Sequence, residues 1–377
     1  MTIREPHAAP AHPLDQPLAF LGDRLRVAEP LASLCTYRVG GAAARFVTVQ
    51  NESELSEIAS ALEQAGAFDA EGTNEQLSIH VIGRGSNLLV ADAGLPGLVL
   101  QLGEGFAQTE ILESGILESG ILESGVLESD RLGADQHGHS SHPKSRVLRA
   151  GAMASLPVVA RKSVAAGLTG FEWAVGVPGS IGGAVRMNAG GHGADMAASL
   201  RGVHVLDLES GENRWMAKAD LELGYRHSCI TATQVVINAE LILLEGQQDL
   251  SEQRLSEIVS WRREHQPGGH NAGSVFRNPA GDSAGRLIDA ANCRGLRVGS
   301  AEVSTKHANF IQTDSGGSAD DVLEVMLQVV AQVRKHSGVQ LQAETVLLGF
   351  SDDDRSALLG PSTAPTAVVD EQSGTAP

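Results

Sequence analysis

Five residues, Gly83-Arg84-Gly85-Ser86-Asn87, follow an apolar alternation that predicts a strand over Ser78 to Ile82. Glycines after a strand leave backbone N–H groups open to a pyrophosphate, and Ser86 and Asn87 add further donors. A second small-residue stretch, Pro178-Gly179-Ser180-Ile181-Gly182-Gly183, runs on to Met187-Asn188-Ala189-Gly190. Bare backbone of this kind lets a flat or phosphate-bearing ligand lie against the chain. One such loop is also what a tight chain crossing requires. Two of them, with the Gly40-Gly41 turn after Thr36, point to a dinucleotide. The spacing is not that of a Rossmann fingerprint, and no Gly-x-x-x-x-Gly-Lys-Ser/Thr loop occurs.

Tyr225-Arg226 and the polar turn Asn271 to Pro279, which carries Ser274 and Asn278, are the next candidates. An arginine fixed by its neighbours can hold a carboxylate through two donors. Ser274, Lys306-His307 and Glu344 say little singly, because a serine in a turn and a glutamate near a strand end are ordinary surface features. Asp135, His137, His139 and His142 lie in a Ser/Gly-rich loop without metal-ligand spacing, and no metal is expected. Cys35, Cys229 and Cys293 are too far apart and too few for a disulfide framework.

The elements that must position these groups alternate. Asn51-x-x-Glu54 resembles a capping box ahead of Leu55, Ile58 and Leu62. Ser155 is expected to cap a helix ending near Gly167, and Ser251 to about Glu264 forms another with Leu255, Ile258 and Trp261 on one face. Ser318 opens a long amphipathic helix through Val322, Val325, Met326, Val329 and Val333, stopped by Gly338. Further strands are expected over Arg45 to Val49, Gly97 to Leu102, Val203 to Leu208 and Gln234 to Leu244. The mixture favours an α+β or α/β assembly, and 377 residues suggest two or three compact units. With 28 Lys+Arg against 46 Asp+Glu the net charge is −18, which argues against a nucleic-acid partner. More than half of that excess lies in residues 104–145 and after Ser351, so it does not exclude an anionic ligand held locally. The pentapeptide Ile111-Leu-Glu-Ser-Gly115 and its copies supply about one coil of a solenoid, so they read as an expansion in a surface loop. The N-terminus has no apolar signal region and no run is long enough to span a membrane, so a cytoplasmic location and no membrane insertion are expected.

Taken in order, Thr36 to Gly41, Gly83 to Asn87 with Asp92, Gly170 to Glu172, Pro178 to Gly183, Asn188 to Gly190, Tyr225-Arg226, Gly273 to Pro279 and Leu341 to Glu344 resemble the UDP-N-acetylenolpyruvoylglucosamine reductase (MurB) family. The resemblance implies an α+β protein with a PCMH-type FAD-binding unit of two subdomains and a separate α/β substrate-binding domain. It divides the chain into a flexible arm (1–17), the FAD-binding unit (18–246, with 104–145 as a loop insertion), the substrate domain (251–338), a return to the FAD unit (339–350) and a disordered acidic tail (351–377). It implies non-covalent FAD held by Gly83, Arg84, Gly85, Ser86, Asn87, Pro178, Gly179, Ser180, Gly182, Gly183, Asn188 and Gly190. NADPH is the implied co-substrate, and UDP-N-acetylglucosamine enolpyruvate the substrate, reduced to UDP-N-acetylmuramate for peptidoglycan synthesis. Ser274 falls where the family has its proton donor, with Arg226 and Glu344 as the other catalytic residues. Tyr225, Asn278 and His307 fall at substrate-binding positions. The short separation of Arg226 and Ser274 resembles the subtype without an extra tyrosine-bearing loop. Gly191-His192-Gly193 replaces the Ala-Tyr-Gly of many relatives, and Cys35 stands where a hydroxyl is common. A different flavin oxidoreductase of the same fold, or a binding protein without turnover, remains the competing reading.

Overall fold

The computed structural model describes residues 11–68, 77–112 and 144–359. The first subdomain is a four-stranded sheet in the order Arg26–Pro30, Ala42–Val49, Leu95–Leu102, Ile79–Ile82. The first pair is antiparallel and the other two are parallel. Helix Glu52–Gln64 packs Leu55, Ile58 and Leu62 into the core, capped by the Asn51 side chain accepting from the Glu54 amide at 3.0 Å. The capping box is incomplete. Glu54 turns its carboxylate to the Gln50 amide at 2.7 Å and to Arg24, leaving the Asn51 amide aside.

The second subdomain is an antiparallel sheet ordered Asn213–Ala217, Leu200–Asp207, Gln234–Glu245, Ser145–Gly151, Thr109–Leu112, with Leu168–Thr169 also on Gln234–Glu245. Val47, Leu98 and Leu100 of the first sheet share one apolar core with Leu148, Val203 and Leu241 of the second. The two subdomains are therefore fused rather than hinged. Ser155 stands at the N-cap of helix Leu156–Ala165 as expected, its carbonyl accepting from Val159 N at 2.9 Å, but its side chain makes no capping hydrogen bond.

The third unit has a three-stranded antiparallel sheet, Arg297–Val298, Ala301–Val303 and Ile311–Thr313, under helix Ala319–Ser337. Val322, Val325, Met326, Val329 and Val333 of that helix are buried, each worth roughly 1.5–3 kcal/mol. Ser318 caps it and Gly338 ends it in the left-handed conformation. Asp92, from the first subdomain, also accepts from the Ala319 and Asp320 amides (3.0 and 3.1 Å) and from Ser318 Oγ (2.6 Å). The chain then returns, and Val346–Leu348 pairs in parallel with Leu88–Val90.

Several expectations change. Helix Gln248–His265 begins three residues before Ser251 and packs Leu255 and Ile258 on the core of the FAD-binding unit, not on the third unit's core. Buried Glu172 explains this docking, since it accepts from Ser251 Oγ (2.5 Å), Thr169 Oγ1 (2.6 Å) and Gly170 N (2.8 Å). Burial alone would raise its carboxyl, but those hydrogen bonds hold it below the ordinary value. Trp261 does not share the buried face; it is largely exposed. Residues 11–17 are not a loose arm: Leu14 is fully buried, His12 Nε2 meets Pro96 O at 2.9 Å and Asp15 bonds Arg45 at 2.7 Å. Residues 352–359 are helical, not disordered, because Leu358 is buried and its carbonyl accepts from Ala343 N at 2.8 Å. The Gly40-Gly41 turn is a chain crossing, since a side chain at Gly41 would strike the backbone of Asp92 and Gly94.

The 104–145 segment is not all insertion. Thr109–Leu112 is a strand registered against Ser145–Gly151, so the first two repeat residues, Ile111 and Leu112, belong to the sheet. The rest of the repeat and the histidines 137–142 lie outside the described residues. Because Leu112 pairs with Val147, the segment between them joins adjacent strand ends. Replacing residues 113–143 with a short Asn-Gly turn is expected to leave the melting temperature unchanged. A fall of more than about 4 °C, roughly 1 kcal/mol or more, would show that the segment supports the core.

Candidate active site

The two glycine-rich loops meet. Ser86 Oγ donates to Pro178 O at 3.2 Å, and Arg84 Nε donates to Met153 O at 3.4 Å. Gly85 has φ +61° and rests on Leu34 O, while its own carbonyl accepts from Thr36 N at 3.1 Å. Gly179 has φ +129°, and a side chain there would come to 2.8 Å from Ser86 Oγ. Ser180 is the buried N-cap of helix Ile181–Arg186, accepting from Gly183 N at 3.4 Å. Where the loops approach, a small pocket is lined by Gly83, Ser180, Gly182 and Gly183, with Ile82 and Ile230 as apolar wall. A side chain at Gly83 would collide with Ser180 Oγ, and one at Gly182 would lie 3.0 Å from Ala152 Cβ. The missing side chains at Gly83 and Gly182 thus let the two loops and the Ala152 segment pack closely together.

Tyr225 and Arg226 form the tip of a tight hairpin. Gly224 and His227 exchange two backbone hydrogen bonds at 3.0 and 3.2 Å, which puts Arg226 at φ +55°. Its guanidinium lies 5.1 Å from the Tyr225 ring centre, donates from Nε to Glu344 Oε1 at 2.5 Å and from Nη2 to Gly190 O at 3.2 Å. Glu344 is fixed on its other sides too. Its amide donates to Val275 O at 2.7 Å, and its carbonyl accepts from Asn87 Nδ2 at 3.0 Å. Burial pushes its carboxyl above the ordinary value, and the attraction of Arg226 and Arg277 only partly opposes this.

The same contacts bring Ser274 in. Gly273 turns the chain at φ +79°, with its amide on Asn271 Oδ1 at 3.0 Å. Val275, next in sequence, bonds Glu344 through its carbonyl, and Phe276 pairs with Ala343. The half-buried Ser274 hydroxyl has no hydrogen-bond partner among the described residues. Asn278 lies beside Tyr225, its amide donating to Tyr225 Oη at 3.4 Å while its Oδ1 accepts from Ala284 N at 3.0 Å. Helix Ala284–Ala290 continues to Gly285, where a side chain would lie 3.7 Å from the His307 ring. His307 itself takes the Asn309 amide on Nδ1 at 3.3 Å and packs its edge on Phe310. Burial first, then Arg294 and His265, hold it below the ordinary histidine value. No hydrogen bond joins it to Arg226, Ser274 or Glu344 among the described residues.

Two supporting residues escape sequence reading. Buried Asn309 grips the Ser274 segment with its carboxamide, Oδ1 accepting from Phe276 N at 3.0 Å and Nδ2 donating to Phe276 O at 2.8 Å. Arg277 has a buried Nε without a partner among the described residues, close enough to Glu344 to lower its carboxyl. Neither carries a sequence signal, since a single Asn or Arg in a loop is ordinary. Asn188 is the opposite case. It was expected to touch the cofactor, yet its side chain is buried and wholly engaged by Asp195, Gly224 and Ala197. Among the described residues no group of three or more His, Cys, Asp or Glu could hold a metal, and no helix is long and apolar enough to cross a membrane.

This arrangement has known counterparts. Residues 132–217 match the model of an FAD binding domain, and residues 265–348 that of the UDP-N-acetylenolpyruvoylglucosamine reductase C-terminal domain. The UDP-N-acetylenolpyruvoylglucosamine reductase of Synechococcus sp. (strain RCC307) is 36% identical over 336 residues, covering 88% of this chain and 97% of the relative. That of Heliobacterium modesticaldum is 36% identical over 326 residues, 86% of this chain and 90% of the relative. The crystal structure of the Thermus caldophilus enzyme superposes with a TM-score of 0.65 at 31% identity, covering 86% of this chain and 99% of that one. Shared sequence over nearly the full length of these relatives, and a fold that superposes on one of them, lead to one conclusion: the chain belongs to the UDP-N-acetylenolpyruvoylglucosamine reductase family of FAD-dependent oxidoreductases.

Proposed function

We propose that this chain reduces UDP-N-acetylglucosamine enolpyruvate to UDP-N-acetylmuramate with electrons from NADPH, in the cytoplasmic supply of peptidoglycan precursors. The observation that carries the reading is Glu344, which one set of hydrogen bonds joins to Arg226, to the segment after Ser274 and to Asn87 of the first glycine-rich loop. When bound, FAD takes a hydride from NADPH and delivers one to the methylene carbon of the enolpyruvyl group. The chain's residues handle the charge and the proton that follow. Gly83, Gly85, Gly179 and Gly182 let the two loops pack closely beside one another, Ser86 and Ser180 fix them, and their backbone is where the dinucleotide would be held.

Addition at the methylene carbon pushes negative charge toward the substrate carboxylate. Arg226 lies where it can meet that charge, and an interaction that strengthens only as charge develops raises the rate rather than the affinity. Glu344, whose carboxyl is pushed by burial above its ordinary value against the attraction of Arg226, holds the guanidinium in place. Ser274 Oγ then gives its proton to the adjacent carbon. The alkoxide left on Ser274 regains a proton from solvent to complete the step. Tyr225 and Asn278, in contact with each other, are assigned to the sugar nucleotide, and so is His307, whose ring is held by burial below the ordinary histidine value.

Ser274→Ala is expected to leave flavin reduction by NADPH within about twofold of wild type and to slow flavin reoxidation by substrate by roughly 10²–10⁴-fold. Stopped-flow absorbance separates the two half-reactions, and equal loss in both would defeat the assignment. A second expectation concerns Glu344. With its folded pKa raised, the protonated side chain favours the folded state at acid pH, and that contribution is lost as pH rises through the folded value. Glu344→Gln keeps the neutral form at every pH. Its melting temperature relative to wild type should therefore rise between pH 4 and pH 8. A decrease would mean that attraction to Arg226 outweighs burial.

A further inference from the structure

The segment Arg186 to Gly190 grips the hairpin that carries Arg226 at three points. Arg186 O accepts from Ser228 Oγ at 2.7 Å, Asn188 Nδ2 donates to Gly224 O at 2.9 Å, and Gly190 O accepts from Arg226 Nη2 at 3.2 Å. Only the middle contact is made by a side chain of this segment. Asn188 is 2% exposed and sits at φ +38°, a conformation that Asn tolerates better than most residues. Its second amide hydrogen goes to Asp195 Oδ2 at 3.1 Å, and its Oδ1 accepts from Ala197 N at 3.0 Å. That last contact takes the place of a side-chain cap on helix Met196–Ser199, for Asp195 at the N-cap makes none.

We infer that Asn188 is a positioning residue for Arg226, and that it acts through the base of the hairpin rather than by touching the flavin. A two-residue turn whose first pair is Gly224 and His227 has little of its own to hold it, and Arg226 at its tip adopts a left-handed backbone. A buried donor on Gly224 O fixes the height of the turn. The guanidinium then reaches Glu344 and Gly190 O together. The inference rests on the proposed role of Arg226. It adds that the Arg186 to Gly190 segment and the charge-stabilising residue are one mechanical unit, in which the Asn188 carboxamide is the segment's one side-chain contact.

Asn188→Asp is the informative change, because aspartate accepts the same backbone angle and keeps the oxygen for Ala197 N. It loses the donors to Gly224 O and Asp195 and sets two carboxylates together. The double variant Asn188→Asp with Asp195→Asn restores a hydrogen bond between those side chains but leaves Gly224 O with its His227 N donor alone, without the buried side-chain donor. Both are compared with Arg226→Ala in the FAD-loaded protein by stopped-flow and by melting. The expected result is that Asn188→Asp slows substrate-dependent flavin reoxidation at least tenfold, while FAD content and NADPH-dependent reduction stay within twofold. It should add no further loss in the Arg226→Ala background. The double variant should regain the melting temperature without regaining reoxidation. Loss of FAD, equal slowing of both half-reactions, or recovery of reoxidation in the double variant would each overturn the inference. Should Arg226→Ala itself reoxidise at the wild-type rate, the proposed function of Arg226 fails and this inference with it. Normal reoxidation in Asn188→Asp beside an impaired Arg226→Ala would defeat the inference alone.

Discussion

Glu344 is bonded through its amide, its carbonyl and its carboxylate to three parts of the chain, and the site depends on that residue being held on all three sides. Its carbonyl is 257 positions from Asn87 and its carboxylate 118 from Arg226. Closing such long loops costs entropy that one hydrogen bond cannot repay. Neighbouring bonds share the cost. Val346 N donates to Asn87 O at 2.9 Å, Arg277 N to Gln342 O at 2.9 Å, and Val346–Leu348 continues as a strand beside Leu88–Val90. The backbone therefore places Glu344 before its carboxylate is considered. Only then does burial make the acid hard to ionise, and only a guanidinium fixed as firmly as that of Arg226 can stand opposite it.

An acidic chain can hold anionic nucleotides because the field that matters is local. Arg226 is about one-fifth exposed, and Arg277 keeps a buried Nε without a partner among the described residues. The glycine loops contribute bare backbone instead of lysine charge. Most surface arginines elsewhere are already neutralised, Arg286 by Asp282, Arg294 by Asp289 and Arg297 by Glu302 and Asp314. Such exposed pairs add little stability, but they leave few cations to compete for the ligand.

The sequence made the regular parts readable. The apolar run Gln234 to Leu244 and the 3.6-residue stripe from Val322 to Val333 became the strand and helix they predicted, the first a strand buried on both faces and the second a helix with one buried face. Ser318 and Gly338 were legible as caps because the chemistry that ends a helix is local. What escaped was tertiary. Leu255 and Ile258 announced an apolar face, but which core receives it is decided by Glu172, seventy-nine positions from Ser251. Leu358 in an aspartate-rich tail and Leu14 in a proline-rich arm carry no period, and each is buried by partners far along the chain. Asn188 was legible as important through its place in the small-residue stretch, while its partners Asp195, Ala197 and Gly224 were not. Asn309 was invisible, since a clamp made by one carboxamide leaves no pattern.

The joint between the units has the same character as the site. Asp92 of the FAD-binding unit caps helix Ala319–Ser337 across the boundary, so the helix's first free amides are satisfied by the neighbouring unit as well as by Ser318. Tyr37 and Leu89 enter the apolar core of the third unit from the same side, and Thr313 Oγ1 donates to Tyr37 O at 2.8 Å. A third unit that swung freely would have to expose that phenol ring and uncap that helix. Both costs oppose rotation at this edge, which lies next to the strand that presents Glu344.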